Sequence, residues 1–122
     1  MPRSTDYIGA TGIGVSDLAA STKFYVNALG MKIMQTIKLD YMDEVILTHE
    51  GRNAVVLMHY TDGSARNYKD LPVKLVFYVA DPPAVADKIK AAGLEVTRYP
   101  TPLPSFGNAM VGLCKDPDGY VV

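Results

Sequence analysis

Two rhythms of apolar residues run along this chain. From Leu18 to Leu29, residues Leu18, Ser21, Tyr25 and Ala28 or Leu29 fall on one face of a 3.6-residue period, with Ser16-Asp17 in front as a cap and Gly30 behind as a stop. From Pro82 to Ala92 the buried face is Val85, Ile89 and Ala92, opened by Asp81-Pro82 and closed by Gly93. Both segments are predicted as short amphipathic helices. Strand-like runs fill most of the rest: 11–15, 32–39, 44–49 and 54–60 in the first half, and 73–80, 94–99, 109–115 and 120 onward in the second. Glu50-Gly51-Arg52-Asn53 joins two of these as a hairpin. Asp116-Pro117-Asp118-Gly119 places Asp, Pro and Gly where a β-turn favours them.

The order is βαβββ followed by βαβββ, an α+β arrangement, and the halves echo each other. Val15-Ser16-Asp17 lies 64 positions before Val79-Ala80-Asp81, and Leu29-Gly30-Met31 lies 63 before Ala92-Gly93-Leu94. A repeated unit too small to close its own core is expected to pair with its copy. One domain over 1–122 is predicted, with module one at about 8–60, a Gly-, Asn-, Asp- and Ser-containing linker at 61–72 and module two at about 73–122.

Composition narrows the function classes. With 122 residues and a formal charge of -1, neither a second large domain nor a basic nucleic-acid surface is expected. No apolar run approaches the ~20 residues of a membrane span, and Met1-Pro2-Arg3-Ser4 does not begin a signal peptide. The lone Cys114 cannot form an internal disulfide, and a cytoplasmic location is expected. Gly9-x-x-Gly12-x-Gly14 is not read as a dinucleotide loop, because too little chain precedes it to supply the required strand. Asp116-x-Asp118-Gly119 lacks the flanking helices and closing Glu of a calcium loop. Pro100, Pro102 and Pro104 are expected to form a stiff loop over a cleft.

Val15-Ser16-Asp17-Leu18, Ser21, Phe24-Tyr25 and Leu29-Gly30-Met31, taken with Asp116-Pro117-Asp118-Gly119-Tyr120, resemble the glyoxalase I, bleomycin-resistance protein and extradiol dioxygenase superfamily, the vicinal oxygen chelate proteins. The resemblance runs from about Ile8 to Val122. It implies two βαβββ modules forming a curved, half-open sheet around a cleft, commonly completed by a second copy in a homodimer. It also implies four metal-ligand positions, one on the first and fourth strands of each module. These fall on Ala10, Leu57, Lys74 and the position beyond Val122, where relatives commonly carry a Glu. None of the three side chains present binds a divalent ion at neutral pH. No cofactor is therefore expected, with a divalent metal as the alternative.

Alternation places Leu57 with His59, and Lys74 with Val76 and Tyr78, each on one face of its strand; the resemblance implies that these faces look into the cleft, where Ala10, Gly12 and Gly14 would leave room for a ligand. His59, Lys74 and Tyr78 are the candidate site residues. Lys74 and His59 could hold an anion or move protons, or could simply reach water from strand ends; Tyr78 could put its hydroxyl on the cavity wall. Three functions follow: a metal-free binder of a small anionic or polar metabolite, an enzyme using these three side chains, and a glyoxalase I-type lyase or isomerase acting on a small carbonyl or thiol adduct.

Overall fold

In the computed structural model, residues 8–122 are described. The first half forms the predicted module: β1 (Ala10–Gly14), α1 (Leu18–Asn27), β2 (Lys32–Lys38), β3 (Met42–His49) and β4 (Arg52–Tyr60). The four strands lie in the order β1-β4-β3-β2. β1 runs parallel to β4, and the other neighbours are antiparallel. The hairpin between β3 and β4 is tighter than the sequence suggests. His49 pairs with Arg52, so only Glu50 and Gly51 turn the chain, both at positive φ (52° and 74°). Positive φ at both positions matches the right-handed twist of the flanking strands.

Helix α1 forms where expected because both its ends are specified. Asp17 accepts a hydrogen bond from the Ala20 amide at 3.0 Å, filling one of the orphan donors of the first turn. At the other end Gly30 (φ 71°) turns the chain so that the Met31 amide reaches back to the Tyr25 carbonyl at 3.1 Å. Helix α2 (Pro82–Ala91) repeats the device: Asp81 caps Ala84 at 3.1 Å, and beyond Gly93 the Leu94 amide returns to the Ile89 carbonyl at 3.2 Å. Phe24, Tyr25, Leu29 and Met31 pack with Ile13, Val15, Leu47, Val55 and Leu57 in one core, which extends to Ala86 and Ile89 of α2.

The second half is a reduced copy. After α2 come β5 (Val96–Leu103) and β6 (Ala109–Cys114), an antiparallel pair. The strand expected at 73–80 is limited to one bridge, Lys74 to Val121, and the last strand to Val121 bridging Lys74 and Lys115. Strand geometry needs a partner along its length, and among the described residues the 73–80 segment is bridged only at Lys74.

The prolines do not form a lid. Pro100 and Pro102 lie within β5, Pro102 opposite Met110, and only Pro104 leaves the strand to start a short 3-10 turn at Pro104–Phe106. Proline is tolerated here because β5 pairs on one side only, and because the register slips between Arg98 and Thr101.

Candidate functional site

Along 73–79 the side chains alternate. Val73, Leu75 and Phe77 pack against the core, whereas Lys74 is exposed and Val76 and Tyr78 are 67% and 99% exposed. Lys74, Val76 and Tyr78 therefore share the helix-free face, as the alternation predicts. Lys74 and Tyr78 line a cavity of about 510 Å³ between 74–79 and β6, with Val85, Ala86 and Ile89 of α2 as its floor. Its other described lining residues are apolar side chains, Gly112 and Cys114, so Lys74 is its single charged residue among the described residues. Tyr78 projects almost wholly into solvent, so it meets the cavity only at its rim.

His59 is elsewhere. It ends β4, and its Nδ1 lies 2.9 Å from the Val15 carbonyl, which as an acceptor assigns the proton to Nδ1. Its ring stacks on Tyr68 at 5.9 Å. The neighbouring Tyr60 amide donates to the Tyr68 hydroxyl at 3.2 Å. His59 and Tyr68 thus finish the open ends of β1 and β4, a structural task, and His59 does not line the cavity that holds Lys74.

The second ligand position also moves. Leu57 pairs with Ile13 and is fully buried with it beneath α1, on the face opposite to the one expected. The helix-free face of β4 carries Val56 and Met58: a Cβ on Gly12 would stand 3.2 Å from Met58 Cε. Val55, Val56, Leu57 and Met58 are all apolar, so the sequence offers no alternation by which to choose a face, and a slip of one residue inverts it. The corrected counterpart, Val56, is no better a ligand. The space expected above Gly12 and Gly14 is closed as well, since a Cβ on Gly14 would stand 3.1 Å from the Tyr68 ring. Among the described residues no three His, Cys, Asp or Glu side chains converge, so the donor set does not fit the divalent ion implied by the resemblance.

The most connected polar cluster lies where the two halves meet. Asp116 is buried, and its carboxylate accepts from the Tyr25 hydroxyl at 2.6 Å and from the Asp118 and Tyr120 amides at 2.9 Å each. Asp118 accepts from the Ser16 amide at 3.1 Å and from the Ser16 hydroxyl at 2.5 Å. The Tyr120 hydroxyl donates to the Gly14 carbonyl at 2.5 Å. Burial raises the Asp116 carboxyl above its ordinary range, outweighing the three hydrogen bonds that favour its charged form. The Tyr25 hydroxyl is pushed up by burial and then by the Asp116 charge, so it stays a donor. A turn motif is thereby a clamp between β6 and the β1–α1 junction. The signal that could have revealed it is Tyr25, a hydroxyl on the buried face of an amphipathic helix, which requires a partner.

The model of the "Glyoxalase/Bleomycin resistance protein/Dioxygenase superfamily" matches residues 7–122. A probable lactoylglutathione lyase of Vibrio parahaemolyticus is 32% identical over 119 residues, covering 92% of this chain and 84% of that protein. A probable lactoylglutathione lyase of Synechocystis is 32% identical over 125 residues, covering 92% and 88%. Among solved structures, a glyoxalase I variant from Zea mays superposes with a TM-score of 0.78 at 25% identity, covering 92% of this chain and 41% of the maize chain. A superfamily member from Sphaerobacter thermophilus gives 0.73 at 26%, covering 96% and 94%.

Proposed function

The chain belongs to the glyoxalase/bleomycin resistance protein/dioxygenase superfamily, and on that premise we propose that it binds a small anionic or polar metabolite against Lys74, without a metal ion at the family's donor positions. The observation that supports this reading most is the chemistry at those positions. Ala10 and Val56 offer no donor atom, and Lys74 offers a cation on the exposed, helix-free face. An ammonium keeps the sign of the field that a divalent ion would provide and forgoes its coordination geometry. Among the described residues Lys74 is also the one charged side chain lining a mostly apolar cavity, the mixture that favours a ligand with an apolar body and an acidic end.

Elemental analysis of the purified protein tests the metal half of the proposal. Nickel, zinc and iron should all be far below one ion per chain. One tightly held ion per chain, displaced on substitution near Ala10, Val56 or Lys74, would overturn it.

A second reading, a lyase acting on a small carbonyl or thiol adduct, draws support from the names of the relatives. Lactoylglutathione, a thioester with two carboxylates, separates the two. The proposal expects saturable binding of it and no formation of it from the adduct of glutathione with the matching 2-oxoaldehyde, with or without added divalent metal, whereas metal-stimulated formation would establish the lyase.

The reading includes a two-fold dimer. β2 is an edge strand that leaves Ile33 and Met34 53% and 54% exposed, apolar surface of the kind that a second copy covers. Light scattering should give twice the chain mass; a monomer mass independent of concentration would refute the dimer.

A further inference from the structure

The segment 61–70 leaves β4 as exposed chain, and Tyr68 is the one residue in it that is not exposed. Its ends are tied through the backbone: the Thr61 amide donates to the Tyr41 carbonyl and the Asp70 amide to the Asp118 carbonyl, each at 2.9 Å. Between these ties most polar contacts are internal. The Ser64 amide and hydroxyl donate to Asp62, Arg66 Nε donates to the Ser64 hydroxyl, and the Lys69 amide donates to Asn67. The Arg66 guanidinium lies 3.6 Å from the centroid of the Tyr60 ring. Among the described residues, Tyr68 alone of 62–69 hydrogen-bonds to the sheet, its hydroxyl accepting from the Tyr60 amide at 3.2 Å.

The place that the Tyr68 ring fills is built without it. One wall is the His59 imidazole, stacked on the ring at 5.9 Å and 27°. That imidazole is held independently, by its Nδ1 bond to the Val15 carbonyl at 2.9 Å. The floor is Gly14 of β1, where a Cβ would stand 3.1 Å from ring carbons Cδ1 and Cε1. The missing side chain lets an aromatic ring lie against the main chain. The Tyr60 amide, carried by β4, offers a donor at the hydroxyl end. Gly14 has no side chain to swing into the space, so the slot keeps its shape when the ring leaves. Only one offset stack and one hydrogen bond at the long end of the usual range hold the ring there.

We propose that His59, Gly14 and the Tyr60 amide form a binding slot for a planar, phenol-like group, which the chain fills with its own Tyr68 until such a ligand displaces it. A phenol reproduces each contact of Tyr68: its face stacks on His59, its ring lies against Gly14 and its oxygen accepts from Tyr60. This gives the His59–Tyr68 pair a task beyond closing the strand ends. None of the three slot residues lines the cavity beside Lys74, so the slot and the reading of Lys74 stand or fall separately.

The probe is para-cresol, titrated by calorimetry and by backbone amide NMR shifts into wild type, Tyr68→Phe and Tyr68→Ala. Tyr68 is not part of the apolar core, so all three should fold. Tyr68→Ala empties the slot and should bind para-cresol saturably, shifting the Gly14, His59 and Tyr60 amides. Wild type should shift the same amides but bind at least about tenfold more weakly, because apparent affinity falls with the fraction of molecules whose slot is vacant. Tyr68→Phe keeps the ring and loses only the hydrogen bond, so its affinity should fall between the two. Equal affinities in wild type and Tyr68→Ala, no binding to Tyr68→Ala, or binding that leaves those three amides unshifted would overturn the proposal.

Discussion

Replacing Asp116 with alanine should destabilise the fold by about 3–5 kcal/mol, the largest effect expected of any single substitution outside the apolar core. The change strands the Tyr25 hydroxyl and the Asp118 and Tyr120 amides, all of which donate to this one buried carboxylate. It also loosens the turn that carries Asp118 to Ser16, and with it the junction between the halves. Asp116→Asn should be far milder. The asparagine oxygen can accept both amides, and its NH2 group can donate to a Tyr25 hydroxyl turned to accept. The pair also predicts a pH dependence. The folded state raises the Asp116 carboxyl above its ordinary value of 3.8, so the folded protein holds that proton more tightly than the unfolded chain does. Its contribution to stability is complete below the ordinary value and is lost as pH rises through the raised one. Urea unfolding should therefore show wild type gaining on Asp116→Asn as pH falls through that window. A constant difference, or an alanine variant within about 1 kcal/mol of wild type, would show that the clamp carries little of the stability.

Much of the fold is legible in the sequence because its punctuation is local. Asp17 and Asp81 cap, Gly30 and Gly93 stop, and the apolar period between them needs no tertiary information. Faces were harder. Along 73–79 the faces can be read, because Val73, Leu75 and Phe77 pack on the core and alternate with the exposed Lys74 and Tyr78. Leu57 is misassigned because its strand is apolar on both faces, and only pairing with Ile13 beneath α1 decides between them. His59 reads as a site residue because a histidine at a strand end carries no mark of the Val15 carbonyl 44 positions away. The proline run fails for a related reason: whether a proline-containing segment is a loop or an edge strand depends on which side its neighbour lies. Asp116 and Asp118 were hidden by their own motif, since turn carboxylates are ordinarily solvated and these two are 2% and 6% exposed.

The second large effect belongs to Lys74. Its ammonium sits at the rim of an apolar cavity, where a contact with a ligand carboxylate is a charge-assisted hydrogen bond worth about 1.5–3 kcal/mol. Lys74→Met keeps the length and apolar stem and removes only the charge, so affinity for an acidic ligand should fall roughly ten- to a hundredfold. The fold should be unaffected, because Lys74 is exposed and the bridge it makes to Val121 is through the backbone. His59→Gln should leave the affinity unchanged, because the ring is engaged with Val15 and Tyr68 and lines no part of the cavity.

The central claim is that a lysine ammonium, rather than a divalent ion, supplies the positive charge that holds the ligand. Calorimetric titration of wild type and Lys74→Met with the dicarboxylate thioester, in metal-free buffer, tests it most directly. Saturable binding to wild type, weakened roughly ten- to a hundredfold in the variant, is the predicted result; equal affinities, or binding to wild type only after a divalent metal is added, would contradict it.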